Sequence, residues 1–298
     1  MGILLHLFHR KRKTRSTTHL IPRSPIITIE GRAHRRDIPY LLPKDEQETH
    51  RLDFQHFGLK LLLGGNYKAP IDPARTHSIL DVGCGTGRWM AEMVQEFPQA
   101  HIYGIDTDAP APHIQFSARC HFSQNDILQG LPYADHTFHY VHQRLLVGGI
   151  PTYYWPATLQ ELVRVTQSGG WIELLETGNV YHNAGPTTKQ LQAWWDEGMT
   201  TRGFDLSIMP TIDVLLTRHG VINVHMEKIQ VPLGTWAGRP GELLGLDLFE
   251  VFKSLKAVYT EKLGIQPELF DHMVALLPKE WESHRTTYEM YSVFGQKP

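Results

Sequence analysis

Short apolar segments alternate along this chain with stretches in which apolar and charged positions recur at helical spacing. Segments 78–82, 101–105, 119–123, 138–142 and 171–175 are too short for helices and read as strands. Between them, 87–97 and 156–167 carry the spacing of amphipathic helices. Strands and helices in alternation predict a parallel sheet wound by right-handed crossovers, with ligands bound outside the carboxyl ends of the strands.

The flanks add helices and two further strands. Asp45 to Leu63 reads as a helix stopped by Gly64-Gly65, and Pro70 and Pro73 mark a connector before the first sheet strand. Downstream, Thr187 to Arg202 reads as a helix bearing Trp194-Trp195, and Thr211 to His219 as a helix ended by Gly220. Val221 to Val231 and Thr286 to Phe294 alternate well enough for strands. Residues 240–282 carry two helical patterns, placed where they would cover the sheet edge as a lid.

Length and charge narrow the class. At 298 residues the chain suits one large α/β domain with helical additions, and no tract of about 18 apolar residues could span a bilayer. Six cations, Arg10, Lys11, Arg12, Lys13, Arg15 and Arg23, lie in the first 25 residues with no acid among them. The net charge is −2 overall and −8 without these six, so the body is acidic and unsuited to a nucleic-acid backbone. The apolar start is too short for a signal peptide, and its charge follows rather than precedes it. The basic arm reads as a solvated tail or, alternatively, as a weak contact with an anionic membrane surface. Only Cys84 and Cys120 are present, which excludes a disulfide framework and fits a reducing, cytoplasmic compartment. His136, His139 and His142 resemble a metal series, but 139 and 142 point to opposite faces of a strand and 136 precedes it, so no metal is expected.

The chemistry concentrates at Ile79-Leu80-Asp81-Val82-Gly83-Cys84-Gly85-Thr86-Gly87-Arg88. A strand leading through glycines into a helix lets backbone N–H groups approach a ligand and aims a helix N-terminus at it. A dinucleotide turn needs G-x-G-x-x-G; here the third glycine position is Arg88, which disfavours a pyrophosphate. The next strand ends in Asp106, about 20 residues on, where a carboxylate offers two acceptor oxygens to paired hydroxyls.

Asp81 to Gly87 resembles the E/D-x-G-x-G-x-G signature of class I S-adenosylmethionine-dependent methyltransferases, and Leu162 to Glu173 resembles their L-x-R-V-L-K-P-G-G motif, with Thr166, Gln167 and Ser168 departing from it. Arg51 to His56 with Leu61 to Gly65 is similar to a subgroup that includes the fungal LaeA-type regulators of secondary metabolism. The resemblance implies a Rossmann-like α/β fold with a seven-stranded, mainly parallel sheet and helical cap insertions. The division it suggests is a flexible arm at 1–38, a helical extension at 39–75 and a methyltransferase domain at 76–298, with inserted helices 185–205 and 240–282 as a substrate cap.

By the same resemblance, Gly83, Cys84, Gly85 and Gly87 form the turn around the methionine part of S-adenosylmethionine, or of the product S-adenosylhomocysteine, and Asp81 lies near its amino group. Asp106, with Thr107 beside it, takes the ribose hydroxyls; Asn125, Asp126 and Ile127 take the adenine; Gln143 completes the cofactor set. After the fourth strand, His142-Gln143-Arg144-Leu145 lacks the N/D-P-P-Y/F/W clamp of adenine methyltransferases. His142, Arg144, Tyr153, Tyr154, Trp155, Trp194 and Trp195 are the candidates for acceptor contact, and no catalytic base declares itself. The expected activity is methylation of a small organic molecule, of natural-product or apolar-metabolite type; the rival is a methyltransferase-like regulator that keeps the cofactor and acts through a protein partner.

Overall fold

The computed structural model describes residues 26–298, so the six N-terminal cations lie outside the described residues. A hairpin comes first, β1 (Ile26–Ile29) and β2 (Arg32–Arg35), then α1 (Glu46–Leu63). The sheet strands and crossover helices follow as β3 (Ser78–Val82), α2 (Arg88–Glu96), β4 (His101–Asp106), β5 (Cys120–Gln124), β6 (Phe138–Arg144), α3 (Trp155–Val165) and β7 (Thr166–His182). The remainder is α4 (Pro186–Thr200), α5 (Ile212–Arg218), β8 (Ile222–Pro232), α6 (Gly238–Ser254), α7 (Lys256–Leu263), α8 (Pro267–His284) and β9 (Thr287–Gln296).

Seven strands form the main sheet in the order β5-β4-β3-β6-β7-β9-β8, with β9 antiparallel to both neighbours and the other pairings parallel. The chain leaves β3 toward β4 and β5, then returns to β3's other side as β6. Its crevice therefore opens beyond the carboxyl ends of β3 and β6. Strand alternation divides the core. Ile79 and Ile102 face α2, where Trp89, Met90, Met93 and Phe97 cover them, while Leu80, Val82 and Val141 face the larger core with Leu159 and Leu162 of α3.

Three expectations need correcting. Residues 26–35, assigned to a flexible arm reaching residue 38, form the hairpin, and Arg32 on it grips the α1 N-cap, Asp45, through two bonds of 2.5 and 2.8 Å. β7 runs well past the expected 171–175, because Glu176 and Thr177 look like strand-ending polar residues in sequence but continue the pairing with β9. The segment 240–282 holds three helices rather than two, since the chain breaks at Leu255 and again at Gly264, which caps α7 in the left-handed conformation.

α1 carries buried charge. Glu48, Arg51, Asp53 and His56 are all buried, and Gly58 lets α6 approach so closely that a Cβ there would stand 2.8 Å from Leu244. Arg51 donates to both oxygens of Glu48 (2.8 and 2.5 Å) and to Asp247 Oδ1 on α6 (2.5 Å). Such a triad is neutral in stability only when complete; losing one member strands an uncompensated charge. Arg51→Ala is expected to destabilise by about 3–5 kcal/mol, read as a lower urea midpoint at an unchanged slope.

Candidate active site

β3 delivers Asp81 to the crevice, and the turn after it is stapled to the next strand, with Gly83 N and Cys84 N both donating to Ile105 O at 2.8 and 2.9 Å. Gly83 has φ 71°, and a Cβ there would meet Leu146 at 2.4 Å, so only glycine fits. Gly85 N donates to Asp106 Oδ2 (2.9 Å), while Asp108 N and the Thr107 hydroxyl donate to Asp106 Oδ1 (3.1 and 3.3 Å). These bonds fix the carboxylate; Oδ2 keeps a lone pair for a ligand, and Oδ1 gains one when the Thr107 hydroxyl turns its single proton to Asp108 Oδ2, also 3.3 Å away. Cys84 behaves as a small apolar residue; burial pushes its thiol well above the usual range.

At the β6 end, alternation puts His142 and Arg144 on the Asp81 side. His142 Nδ1 lies 2.8 Å from Asp81 Oδ1, and its ring stacks on Trp89 with centroids 4.0 Å apart and planes at 3°. Arg144 Nη2 donates to His56 Nδ1 at 3.1 Å. Burial lowers the His56 pKa, with Glu92 opposing, so His56 is a neutral acceptor for that bond. Its Nε2 lies 3.1 Å from Glu92 Oε1 in an off-line contact. Burial would raise the Glu92 carboxyl, but His56, Lys60 and Asn66 outweigh it and hold it down to about 2.

From the β5 side, Asn125, Asp126 and Ile127 enter the same cavity. Asp126 Oδ1 accepts from Leu128 N (2.9 Å), closing a turn, and the buried Asn125 Oδ1 has no partner among the described residues. The N-terminal segment supplies a wall that the sequence reading missed: Ile38, Pro39, Tyr40 and Lys44 line this cavity, with Leu52, Gln55 and His56 of α1. Tyr40 donates to Glu48 Oε1 (3.1 Å), and Lys44 lies 3.0 Å from Asp108 and 3.9 Å from Asp106. Of the wall residues, Ile38 falls in the stretch assigned to the arm and Pro39, Tyr40 and Lys44 in the helical extension; the missed signal was the apolar cluster Ile38, Tyr40, Leu41 and Leu42 between charged neighbours.

A second cavity adjoins the first, the two sharing Tyr40, Leu52, Gln55 and Leu145. Its walls are mostly apolar and include Trp195 and Met199 of α4 and Val251 and Phe252 of α6. Asp247 lines it, and burial raises that carboxyl against the pull of Arg51 and Gln55. Gln55 Nε2 lies 3.2 Å from Asp247 Oδ2, at the junction of the two spaces.

A protein-family model described as a methyltransferase domain matches residues 79–170, which contain the glycine turn, Asp106 and the β6 end. The chain carries a class I S-adenosylmethionine-dependent methyltransferase domain. Among curated relatives, methyltransferase pytC of Aspergillus terreus is 27% identical over 243 residues, 77% of this chain and 74% of that protein. N-methyltransferase verN of Clonostachys rogersoniana is 26% identical, covering 87% and 93%. The secondary metabolism regulator LAE1 of Cochliobolus heterostrophus is 27% identical, covering 67% and 68%. In fold, the methyltransferase is similar to phosphoethanolamine N-methyltransferase 2 of Haemonchus contortus, with a TM-score of 0.51 at 18% identity over 85% of this chain and 59% of that one. A putative methyltransferase from an antibiotic biosynthesis pathway of Anabaena variabilis also gives 0.51, at 14% identity over 74% and 90%.

Not every sequence candidate of the methyltransferase reaches the cavity. Asp81, Gly83, Cys84, Gly85, Asp106, Thr107, Asn125, Asp126 and Ile127 line it; Gly87 and Gln143 do not. Gly87 caps α2 from behind, where a Cβ would meet Phe116 at 2.4 Å. Gln143 points to the opposite sheet face, because β6 keeps its alternation through Arg144, and there it donates to Glu176 Oε1 at 3.0 Å. Of the acceptor candidates, Tyr153 is 87% exposed, Tyr154 is exposed, and Trp155 is 1% exposed within the core, so none lines either cavity. Trp194 packs near Tyr259, and of the tryptophans named as acceptor candidates Trp195 lines a cavity.

Glu176 holds the loop beneath Gly83's neighbour Leu146, accepting from Leu146 N (3.2 Å) and Val147 N (3.0 Å), and burial pushes its carboxyl up to about 7 despite these donors. In the unfolded chain a glutamate titrates near 4.3, so through the window from about 5 to 7 the folded state binds more protons and stability falls as pH rises. The slope from one such group is at most about 1.4 kcal/mol per pH unit. Urea midpoints measured across this window should fall more steeply for the native protein than for Glu176→Gln; parallel profiles would refute the assignment.

Proposed function

We propose that the enzyme transfers the methyl group of S-adenosylmethionine to a small, largely apolar organic acceptor of natural-product type seated in the second cavity. The observation that carries this reading is the junction of the two cavities at Tyr40, Leu52, Gln55 and Leu145, which lets a donor in one meet an acceptor in the other. The residues fit the cofactor. Asn125 offers a buried oxygen lacking a partner among the described residues, and a Cβ at Gly85 would find nothing nearer than Leu52 at 3.8 Å, so glycine keeps that space clear. Asp106 would take the ribose hydroxyls with Thr107 beside it, Asn125, Asp126 and Ile127 would surround the adenine, and Gly83, Cys84 and Gly85 would follow the methionine part with Asp81 near its amino group.

When bound, the cofactor supplies a methyl group already activated on a sulfonium sulfur. The chain's own task is then alignment and exclusion of water. Tyr40, held to Glu48 and packed against Lys44, and Leu52 form part of the wall at the junction. α4 and α6 act as the substrate cap, with Trp195 and Phe252 as its apolar surfaces and Asp247 and Gln55 as its polar handle. A regulator acting through a protein partner would use the same cofactor cavity; the mostly apolar second cavity beside it favours the small-molecule reading, because a protein acceptor has no need of one. The free thiols Cys84 and Cys120 support a reducing, cytoplasmic setting, and the cations at 10–23 support weak contact of the N-terminal arm with anionic membrane surface.

Two measurements test the reading. Calorimetric titration with S-adenosylmethionine, with NADH as control, should show binding by the native protein that weakens about 100-fold in Asp106→Ala, two charge-assisted hydrogen bonds being worth roughly 1.5 kcal/mol or more each. Incubation with methyl-labelled cofactor and cell extract should put label into the organic-soluble fraction. Label confined to precipitated protein would favour the partner-directed reading instead.

A further inference from the structure

We propose that Arg144 recognises the carboxylate at the amino-acid end of the cofactor, acting with Asp81 as a two-charge clamp for a zwitterion. This rests on the cofactor reading and assigns the recognition of one chemical group within it.

The register places the two charges. Asp81 pairs across the sheet with His142, so Arg144, two residues further along β6, stands on the same face one step beyond the β3 end. Both residues line the first cavity, together with Gly83 and His56. Arg144 is absent from the walls of the second cavity, although its neighbour Leu145 belongs to both. Its charge therefore serves the donor space and not the acceptor chamber.

The surroundings of Arg144 leave an anion to be supplied. Among the described residues no carboxylate forms an ion pair with it, and its side-chain bond is to the neutral His56 ring. Burial depresses its pKa, the sign of a cation poorly compensated where it sits. The nearby acids are occupied: Asp81 by His142, Glu92 by Lys60 and Asn66, and Glu173 by Lys68 N, Ala69 N and the Tyr140 hydroxyl. A guanidinium has five N–H donors in a planar fork, and the His56 bond uses one of them while fixing the plane of the rest. What remains suits a bidentate carboxylate. An α-amino acid end presents that carboxylate beside an ammonium group, and Asp81, anchored through His142 and Trp89, supplies the matching negative charge.

The acceptor chamber has the opposite character. Its charged groups, Arg51 and Asp247, already satisfy each other and Glu48. An ionised acceptor would find no free counter-charge there, which matches a neutral acceptor and leaves Arg144 to the cofactor.

The test needs no acceptor. The native protein is titrated with S-adenosylhomocysteine, with its decarboxylated analogue, which lacks only the carboxylate, and with 5′-methylthioadenosine, which lacks the whole amino-acid end. S-adenosylhomocysteine should bind at least about 30-fold more tightly than the decarboxylated analogue, the loss of a bidentate charge-assisted pair. In Arg144→Gln that preference should collapse to less than about 3-fold while affinity for 5′-methylthioadenosine is kept, and Arg144→Lys should recover part of it. Equal affinity of the native protein for the first two ligands overturns the proposal whether or not the variants fold. An equal loss for all three ligands in Arg144→Gln also overturns it, since that marks a structural role. Failure of the native protein to bind any of the three overturns the cofactor reading itself.

Discussion

The need to pair charge that α1 carries into the interior fixes the position of everything around the site. Glu48, Arg51, Asp53 and His56 are all buried on one eighteen-residue helix; Glu48 pairs with Arg51 within it, and the other three also have partners on other parts of the chain. Arg51 reaches Asp247 on α6, Asp53 reaches Thr86, Arg88 and His113 around the glycine turn, and His56 receives Arg144 from the end of β6. An unpaired charge on Glu48, Arg51 or Asp53 would cost several kcal/mol, so pairing these three holds α1 in place. It thereby sets the distance between the glycine turn on one side and α6 on the other.

The division of labour between the two cavities follows from that placement. Leu52 and Gln55 lie on the stretch of α1 between its pairing residues and face the place where the cavities meet. In the first cavity, the lining includes Asp81, Asp106, Asp126 and Arg144. In the second cavity, α4 and α6 contribute aromatic and aliphatic surface, and the charges present are closed among themselves. Polar recognition and apolar accommodation are thus separated by a single helix, with the N-terminal segment 38–44 folded over the seam.

Legibility in the sequence tracked how local each feature is. The glycine turn, Asp106 and the Asn125-Asp126 pair could be read because strand, turn and helix follow one another within a few residues and the backbone conformation is set by glycine. Gln143 stands outside the cavity lining because position in a motif does not say which face a side chain takes; β6 continues two residues past its apparent end and turns Gln143 toward Glu176. Tyr153, Tyr154 and Trp155 illustrate the same limit, since three adjacent aromatics divided between surface and core. The N-terminal wall was missed for another reason: its short apolar run carries no helix or strand period, and the partners of its one charge, Lys44, are Asp106 and Asp108, distant in sequence.

By itself the sequence determined the order of strands and helices, the parallel winding and the cofactor turn, because these rest on hydrophobic period, glycine spacing and the handedness of connections, all short-range properties of the chain. Only the tertiary structure decided which charges meet. Arg144 facing His56, Arg51 closing on Asp247 and Tyr40 reaching Glu48 join residues 88, 196 and 8 positions apart. The strength and consequence of such contacts depend on burial, and burial is a property of the assembled fold.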